Sequence, residues 1–200
     1  MNFPQTEGNL WQVVGITGKK QHGKDTLGKY LVNRYGYIRI AFADAIKEML
    51  RPSFGFSEEQ LNGTLKEVED PFWKISPRKV MQFVGTELFR NKMPELIPEV
   101  ESNFWVLIVK KKILDILQVQ PEAKFVITDV RFENELEFIN KMNGLTICVV
   151  RPTLFDNLEY SHSSESNIEN LKVQSKIIND GSIEELHECF NNILFSSCPS

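Results

Sequence analysis

The residues best suited to chemistry lie in a glycine-rich loop near the amino terminus. The loop follows an apolar run at 13–17 and has the spacing G-x-x-x-x-G-K, with Gly18, Gly23 and Lys24 at the fixed positions. Where such a loop joins a strand to a helix, backbone N–H groups and the positive end of the helix bind phosphates. The spacing therefore predicts binding of a nucleoside triphosphate. The predicted contacts are Gly18, Lys19, Lys20, Gln21, His22, Gly23, Lys24, Asp25 and Thr26.

The residue after Lys24 departs from the common form of this loop. The common form has Ser or Thr there, whose hydroxyl contacts Mg²⁺, whereas this chain has Asp25. Mg²⁺ prefers oxygen ligands and often keeps several waters, so Asp25 could hold the ion directly or through water. Thr26 is a second candidate ligand, or it caps the helix. For the His22 side chain, a solvated imidazole and a phosphate contact both remain open.

A second candidate pair, Asp129 and Arg131, follows the short apolar segment 124–128. An acid at a strand end can organise Mg²⁺, and an arginine beside it can neutralise a phosphate or the transferred group. The structural alternative is that Asp129 caps the next helix and Arg131 pairs with Glu135. We favour the catalytic interpretation, in which Lys24, Asp129 and Arg131 are the catalytic residues and Asp25, Thr26 and Asp129 are the metal ligands.

A third group lies on the helix predicted to begin after Ser76. At ~100° per residue, Arg78, Gln82 and Gly85 fall near one line, with Thr86 alongside. Arginine can bind a phosphate in a bidentate manner, glutamine can hydrogen-bond a base edge, and glycine permits close approach. This face suits a phosphorylated nucleoside. An ordinary amphipathic helix with a solvated polar side is the alternative.

The surrounding pattern predicts the elements that position these residues. Apolar runs predict strands at 11–17, 37–42, 124–128, 145–150 and 176–179. Helices are predicted at 24–35, 45–50 (ended by Pro52), 76–90 and 102–117, from Phe132 to Gly144, and after Ser182. Strands that alternate with helices predict an α/β fold with a mostly parallel five-stranded sheet covered on both faces. Ligands bind beyond the carboxyl ends of such strands, where both Gly18 and Asp129 fall.

Length and composition restrict the class of protein. The chain has 200 residues, which suits a single domain, and its 42% hydrophobic and 25% charged residues exclude disordered and fibrous classes. The net charge of −4 argues against broad nucleic-acid or membrane binding. Three widely spaced cysteines favour reduced thiols over disulfides or zinc. No secretion signal or membrane span is recognisable, so a soluble cytoplasmic protein is expected.

Motifs of other triphosphate-binding proteins do not match this chain. A guanine-reading N-K-x-D tetrad is absent, because the segments NKMP at 91–94 and NKMN at 140–143 both lack its aspartate. The segment DVRF at 129–132 also lacks the glycine of D-x-x-G. These differences favour a nucleotide kinase over a switch GTPase.

Four motifs in order carry a family resemblance. They are GKKQHGKDT at 18–26, FADAIK at 42–47, PRKVMQFVGTE at 77–87 and ITDVRFENE at 127–135, joined by VRP at 150–152 and HSSE at 162–165. Together they resemble the deoxynucleoside monophosphate kinases of bacteriophages and large DNA viruses. The resemblance implies a P-loop kinase that transfers the γ-phosphoryl group of ATP to a deoxynucleoside 5'-monophosphate with Mg²⁺. It also implies dNTP supply in a host cytoplasm and suggests a homodimer.

The resemblance assigns roles to the matching residues. Arg151 would join the loop residues in binding ATP, and Arg131 would bridge the acceptor phosphate and the transferred group. The implied acceptor contacts are Asp44, Ile46, Lys47, Arg78, Gln82, Gly85, Thr86, Trp105, Arg131 and Glu133. Residues 53–118 would form an acceptor-binding helical region that includes a flap, and residues 152–175 a small lid. Trp73, Phe104 and Trp105 could stack on a base, although large aromatic side chains more often serve the core.

Two other functions remain open from the residues alone. A P-loop kinase of another small acceptor, of the dephospho-coenzyme A or phosphomevalonate type, would share the donor half. A catalytically silent nucleotide-binding module is supported only by Asp25 in place of Ser or Thr. The acceptor helix around Arg78 and Gln82 distinguishes the alternative kinase from a nucleotide kinase, and tight ATP binding without transfer would indicate the silent module.

Overall fold

A single parallel sheet organises the part of the chain around the phosphate loop. The computed structural model describes residues 10–152 and 167–196. Within them, strands β1 (Val13–Thr17), β2 (Ile38–Ile40), β3 (Phe125–Ile127), β4 (Leu145–Val150) and β5 (Ser175–Ile178) form one sheet in the order β2-β3-β1-β4-β5. Every neighbouring pair is parallel. The predicted α/β fold and five-stranded sheet are confirmed.

Helices connect and cover the strands. The α-helices are α1 (Lys24–Tyr35), α2 (Phe42–Phe54), α3 (Glu58–Asn62), α4 (Pro77–Gln82), α5 (Met93–Leu96), α6 (Phe104–Val119), α7 (Glu133–Lys141) and α8 (Ile183–Ser196). A π-helix spans Phe83–Lys92, and 3₁₀ turns span Thr64–Glu67, Pro98–Val100 and Asn167–Asn170. Across the described part of the chain, no helix has both the length and the apolar character required to cross a bilayer.

The chain divides into two compact units. The first, here called the sheet unit, comprises Met1–Ile40 and Ile116–Ser200, and the second, the helical unit, comprises Ala41–Asp115. The sheet unit contains all five strands and the phosphate loop. The helical unit contains the residues expected to bind the acceptor, apart from Arg131 and Glu133. It begins at Ala41, earlier than the region 53–118 expected from the sequence.

The core of the sheet unit lies on both faces of the strands. Every residue of β1 is buried, as expected when helices cover both faces of a parallel sheet. Leu27 and Leu31 of α1 and Phe190 of α8 share one buried cluster with the strand side chains Ile16 and Ile147. This packing holds α1, and therefore the loop that precedes it, against the carboxyl ends of the strands.

Helix α2 is longer at both ends than the sequence predicted. It begins at Phe42, which shortens β2, and its first turn is stabilised because the Asp44 carboxylate accepts a 2.9 Å hydrogen bond from the Ala41 amide. The prediction that Pro52 ends this helix is wrong. Pro52 lies inside the helix, where it cannot donate a backbone hydrogen bond, and the helix continues past it and ends at Gly55, with φ of 69°.

The helix that carries Arg78 changes type at Gln82. The sequence predicted one α-helix over 76–90, whereas α4 ends at Gln82 and the next ten residues form a π-helix. Since a π-helix bonds i to i+5 and has a wider turn, the spacing of ~100° per residue does not extend past Gln82. The predicted alignment of Gly85 and Thr86 with Arg78 is therefore wrong.

A separate core stabilises the helical unit. Leu50, Phe56, Leu61, Val80 and Val84 are buried together. Helices α2, α3, α4 and the π-helix each contribute to this cluster. Helix α4 therefore has its own packing support within the unit.

Candidate active site

The phosphate loop has a backbone conformation that requires its two fixed glycines. Gly18 has φ of 142° and Gly23 has φ of 110°, both in the left-handed region. A Cβ atom at Gly18 would overlap the carbonyl oxygen of Val149. A Cβ atom at Gly23 would lie 2.7 Å from Nδ2 of Asn179. Strain and lack of space therefore both exclude side chains at these positions.

The loop is attached to the ends of β4 and β5. Asn179, which is 6% exposed, donates a 2.9 Å hydrogen bond from Nδ2 to the carbonyl oxygen of His22. The His22 imidazole is itself 6% exposed. Its Nδ1 lies 3.3 Å from the Val149 carbonyl oxygen and 3.3 Å from the Arg151 amide nitrogen. The interpretation of His22 as a solvated imidazole is therefore wrong.

Lys24 begins α1 and directs its charge back over the loop. Its ammonium group donates a 2.6 Å hydrogen bond to the carbonyl oxygen of Lys19. Asp25 follows in the exposed first turn. The N-cap of α1 is Gly23, and no side chain caps the helix, so the interpretation of Thr26 as a cap is wrong. The amino-terminal turn of α1 therefore presents amides, an ammonium group and a carboxylate beside the loop.

Asp129 and Arg131 follow β3, which lies next to β1 in the sheet. The Val130 amide donates a 3.3 Å hydrogen bond to the Ile16 carbonyl, so this segment continues alongside the end of β1. A Cβ atom at Gly28 would lie 2.5 Å from Cγ2 of Thr128, which shows that α1 approaches the same segment closely. Asp129 is therefore held near the strand and helix that flank the phosphate loop.

Glu135 supports this segment and was not identified as a functional residue from the sequence. Its carboxylate accepts hydrogen bonds of 2.8 Å from the Arg131 amide and 3.2 Å from the Phe132 amide. The side chain is only 2% exposed. Glu135 thus caps α7, the role that the structural alternative gave to Asp129. A capping glutamate three residues after the N-cap is a recognisable signal.

A cavity of about 390 Å³ lies beside the first part of the phosphate loop. Its wall contains the polar residues Lys19, His22, Arg151 and Lys176 and apolar side chains that include Leu171 and Val173. A mixed lining of this kind and this size suits a small ligand with an anionic part and a flat apolar part. The expected ATP contact Arg151 is among the lining residues.

Cys148 forms part of the same wall. Burial raises the pKa of its thiol, and the nearby positive charges of Lys176 and Lys24 partly counteract that rise. The thiol is therefore neutral at physiological pH and takes part in the packing of the wall. The lysines contribute positive potential to the cavity.

The donor groups of the loop suit a metal ion that arrives with a nucleotide. Among residues 10–152 and 167–196, no three His, Cys, Asp or Glu side chains converge as a metal-binding group. Mg²⁺ bound to phosphates needs only one or two protein carboxylates, which Asp25 and Asp129 can supply. The buried hydroxyl of Thr17, where β1 enters the loop, has no hydrogen-bond partner within the described structure. It offers a further polar contact at this position.

The helical unit positions the two side chains expected to recognise an acceptor. Ser76 caps α4, and Arg78 follows in the first turn with its side chain 22% exposed. Arg78 Nε lies 3.5 Å from Oε1 of Glu67, so a carboxylate already contacts the guanidinium group. Gln82 is half-buried at the end of the same helix. Both side chains therefore reach the surface from one short α-helix.

The π-helix packs closely against α2. Gly85 is buried, and a Cβ atom there would lie 2.8 Å from Cδ1 of Ile46. Thr86 is half-buried next to it, and Lys47 is half-buried on α2. The expected acceptor residues Ile46 and Gly85 are thus brought together within this unit.

Trp105 lies inside the helical unit. It is 2% exposed, and its indole nitrogen donates a 2.7 Å hydrogen bond to the Gly85 carbonyl. Its ring lies 5.2 Å from that of Phe89 and 5.0 Å from that of Phe104. Any contribution of Trp105 to acceptor binding would therefore act through the π-helix. Trp73 is 42% exposed and donates to the Phe54 carbonyl.

The remaining predicted residues are more peripheral or lie beyond the described part of the chain. Lys20 and Gln21 are exposed on the loop, and Glu133 is exposed at the start of α7. His162 and Glu165 of the HSSE segment lie outside the described residues. So does most of the expected lid.

Comparison with known proteins identifies the family. A model of the family described as deoxynucleotide monophosphate kinase matches residues 55–190. A protein of Acanthamoeba polyphaga mimivirus, provisionally named deoxynucleotide monophosphate kinase, is 33% identical over 179 residues, which cover 88% of this chain and 92% of that protein.

Two phage proteins are also similar. The deoxynucleoside-5'-monophosphate kinase of Escherichia phage T5 is 28% identical over 80% of this chain and 59% of its own length. The deoxynucleotide monophosphate kinase of Enterobacteria phage T4 is 27% identical over 68% of this chain and 51% of its own length. The chain thus spans a little over half of each phage protein. Given the glycine-dependent phosphate loop and these matches, the chain belongs to the deoxynucleotide monophosphate kinase family.

Proposed function

We propose that this enzyme transfers the γ-phosphoryl group of ATP to a deoxynucleoside 5'-monophosphate and forms the corresponding diphosphate. The observation that carries this proposal is the phosphate loop, in which Gly18 and Gly23 have conformations that only glycine adopts readily and Lys24 lies over the backbone. In a chain of this family, such a loop supports the donor half of a kinase reaction. A role in dNTP supply, in a host cytoplasm, follows from this reaction and from the viral origin of the relatives.

The donor half lies in the sheet unit. The loop amides and Lys24 would bind the phosphates of ATP, and Arg151 would contact the nucleotide from the end of β4. The cavity that contains Lys19 and Arg151 in its wall is large enough for the nucleoside part of ATP. Apolar residues that line the same cavity would exclude water from that part of the ligand.

The acceptor half draws mainly on the helical unit. Arg78 would bind the acceptor phosphate, since a guanidinium fork matches phosphate geometry. Gln82, one turn later on α4, would hydrogen-bond the base. Asp44 would support acceptor binding indirectly, because its carboxylate caps the start of α2. Further contacts are proposed for Ile46, Lys47, Gly85, Thr86 and Glu133.

Charge neutralisation would provide most of the catalysis. Phosphoryl transfer has a loose transition state in which charge spreads over the phosphate oxygens, so positioning and positive charge matter more than a strong base. Lys24 and Arg131 would supply that charge. Asp25, Thr26 and Asp129 would hold Mg²⁺, which would supply positive charge to neutralise the phosphates. No histidine is required as a catalytic base.

Self-association of the chain is also proposed. Exposed apolar side chains on the helical unit, among them Leu96 at 77% exposure and Leu107 at 44%, suit a homodimer interface. Sedimentation of the purified protein tests this directly. A dimer whose mass halves in the Leu96→Glu variant supports the proposal, and a monomer at all concentrations contradicts it.

Steady-state kinetics of matched variants test the proposed division of the enzyme into a half that binds ATP and a half that binds the deoxynucleotide. Arg78→Ala and Gln82→Ala are expected to raise KM for the deoxynucleotide while KM for ATP changes less than twofold. Lys24→Met is expected to lower kcat by at least ~100-fold, since it removes a charge that stabilises the transition state. The assignment of Gln82 to the acceptor half fails if Gln82→Ala leaves KM for the deoxynucleotide unchanged. Faster turnover of dephospho-coenzyme A or phosphomevalonate than of any deoxynucleotide would favour the alternative kinase.

A further inference from the structure

The His22 imidazole joins the phosphate loop to the end of β4 through a single nitrogen atom. Nδ1 faces both the Val149 carbonyl oxygen and the Arg151 amide, at 3.3 Å each. The first partner is an acceptor and the second is a donor. A nitrogen atom that carries a hydrogen can bond only to the carbonyl, and one with a free lone pair can bond only to the amide.

We propose that His22 is a positioning residue that carries its proton on Nε2 and accepts the Arg151 amide hydrogen at Nδ1. Arg151 is the first residue after β4, and it lines the cavity beside the loop. The hydrogen bond therefore fixes the chain from which the proposed ATP contact extends. It also holds that chain in a defined position relative to the loop that binds the phosphates.

Contacts that do not involve the imidazole already secure the loop backbone at this point. Asn179 binds the carbonyl of His22, and this bond does not depend on the side chain at position 22. Gly18 brings the loop backbone directly against the Val149 carbonyl. A variant at position 22 should therefore retain the fold of the loop. Its effect should appear in ATP binding, through Arg151.

Loss of this hydrogen bond should weaken the binding of ATP, the phosphoryl donor. It should leave the binding of the deoxynucleotide, the phosphoryl acceptor, unchanged. The inference rests on the proposed function only in giving Arg151 a contact with ATP. The net value of a typical hydrogen bond corresponds to roughly a fivefold to tenfold change in affinity. We expect a loss of that size in ATP affinity. The KM for the deoxynucleotide should stay within twofold, because its proposed contacts lie mainly in the helical unit.

Three substitutions separate the role of Nδ1 from that of the whole ring. Asparagine places its side-chain oxygen at the same number of bonds from Cβ as Nδ1, so His22→Asn keeps an acceptor at this position. His22→Gln places its polar atoms one bond further along, and His22→Ala removes them. ATP affinity is measured by calorimetry on each full-length protein, together with KM, kcat and the melting temperature.

The expected pattern is rescue by asparagine alone. His22→Ala and His22→Gln should weaken ATP binding fivefold to tenfold, whereas His22→Asn should stay within twofold of the unsubstituted protein. Equal losses in His22→Asn and His22→Ala, or no loss in either, would overturn the proposal. A loss of melting temperature that parallels the loss of ATP affinity in all three variants would indicate a general packing role and would also overturn it.

Nuclear magnetic resonance supplies a readout that does not depend on catalysis. In the unsubstituted protein, the ¹⁵N shift of His22 Nδ1 should be that of an unprotonated ring nitrogen. The Arg151 amide proton should move upfield in His22→Ala and return in His22→Asn. If no deoxynucleotide is phosphorylated but these shifts appear, the proposed function fails and the positioning role stands. A protonated Nδ1 would overturn the positioning role alone.

Discussion

The indole nitrogen of Trp105 donates a 2.7 Å hydrogen bond to the carbonyl oxygen of Gly85, near the start of the π-helix. Both residues are buried. Gly85 also lies so close to Ile46 that a Cβ atom there would be only 2.8 Å from its Cδ1. Trp105 thus fixes the segment that follows Gln82 against α2. The proposed acceptor contacts depend on this packing.

Replacement of Trp105 by phenylalanine should therefore impair acceptor binding indirectly. The ring would keep most of its packing but would lose the indole hydrogen bond to the Gly85 carbonyl, whose net value is about 0.5–1.5 kcal/mol. KM for the deoxynucleotide should rise several-fold, with KM for ATP unchanged. Denaturant unfolding and steady-state kinetics measure the two effects.

Trp73→Phe provides the matched control for this substitution. Trp73 also donates from its indole, at 2.8 Å to the Phe54 carbonyl, but it is 42% exposed. Water can replace a donor at an exposed site, so the loss of stability should be clearly smaller than in Trp105→Phe. Equal losses in the two variants would contradict the account of Trp105.

Gly18→Ala should damage the phosphate loop far more than an equivalent change elsewhere. The added methyl group would meet the Val149 carbonyl oxygen, and the residue would keep a strained φ of 142°. Gly36→Ala is the control, since Gly36 has φ of 69° and open space around it. The free energy of unfolding of the control should fall by about 1 kcal/mol, because of left-handed backbone strain alone. The free energy of unfolding of Gly18→Ala should fall by at least ~2 kcal/mol more, because the added methyl group overlaps the Val149 backbone.

Urea unfolding of both variants, followed by ATP titration, checks this prediction. ATP affinity should fall at least ~10-fold in Gly18→Ala, because the amides that contact phosphate would move. Gly36→Ala should bind ATP normally. Similar stability losses in both variants would show that the contact between Gly18 and Val149 is unimportant.

Glu135 should affect catalysis through the segment that carries Arg131. Glu135→Ala would remove the acceptor of the partly buried amides of Arg131 and Phe132, at a cost of about 0.5–1.5 kcal/mol for each hydrogen bond, and would loosen Arg131. We expect kcat to fall ~10- to 100-fold, since small displacements of a charged group reduce catalysis strongly. Glu135→Gln keeps one acceptor oxygen, so its stability and its kcat should fall less than those of Glu135→Ala.

Glu137→Ala is the control on the same helix. Glu137 is exposed and pairs with Lys141 at 3.3 Å, an interaction that contributes less than ~1 kcal/mol. The variant should therefore keep its stability and its kcat. If Glu135→Ala also retained full kcat, the link between the α7 cap and Arg131 would be refuted.

The pH dependence of thiol alkylation should distinguish Cys148 from Cys189. Burial raises the pKa of Cys148, despite the opposing charges of Lys176 and Lys24. Because only the thiolate reacts, Cys148 should be alkylated more slowly than exposed Cys189 at pH 7. The alkylation rate of Cys148 should continue to rise with pH after the rate of an ordinary thiol has reached its maximum. Peptide mass spectrometry after iodoacetamide treatment measures both rates, and faster labelling of Cys148 at pH 7 would contradict this pKa shift.

Local sequence signals predicted the sheet unit well. The strand that enters the phosphate loop, the bounds of α1 and the order of strands and helices follow from apolar runs and from the positions of Gly18, Gly23 and Gly36. The capping box between Ser182 and Glu185 is also present, since the Ser182 amide donates a 2.7 Å hydrogen bond to the glutamate. These features depend on neighbours in the chain, which a sequence displays directly.

The sequence did not reveal features that depend on tertiary contacts. The π-helix after Gln82 was missed because its hydrogen-bond pattern depends on packing against α2 and Trp105, residues distant in the chain. His22 was ambiguous because its partners Val149 and Arg151 lie more than a hundred positions away. Pro52 was assigned as a helix end because proline cannot donate a backbone hydrogen bond, whereas packing of Leu50 and Phe56 in the buried cluster of the helical unit was not visible in the sequence.

The central claim is tested most directly by measuring ADP formation from ATP and Mg²⁺ with dGMP, dTMP, dCMP and dAMP supplied separately. At least one deoxynucleotide should stimulate ADP formation strongly, with an equal amount of the deoxynucleoside diphosphate appearing. The Lys24→Met protein should show no such stimulation. If none of the four stimulates ADP formation by the unsubstituted protein, the assignment as a deoxynucleoside monophosphate kinase is contradicted.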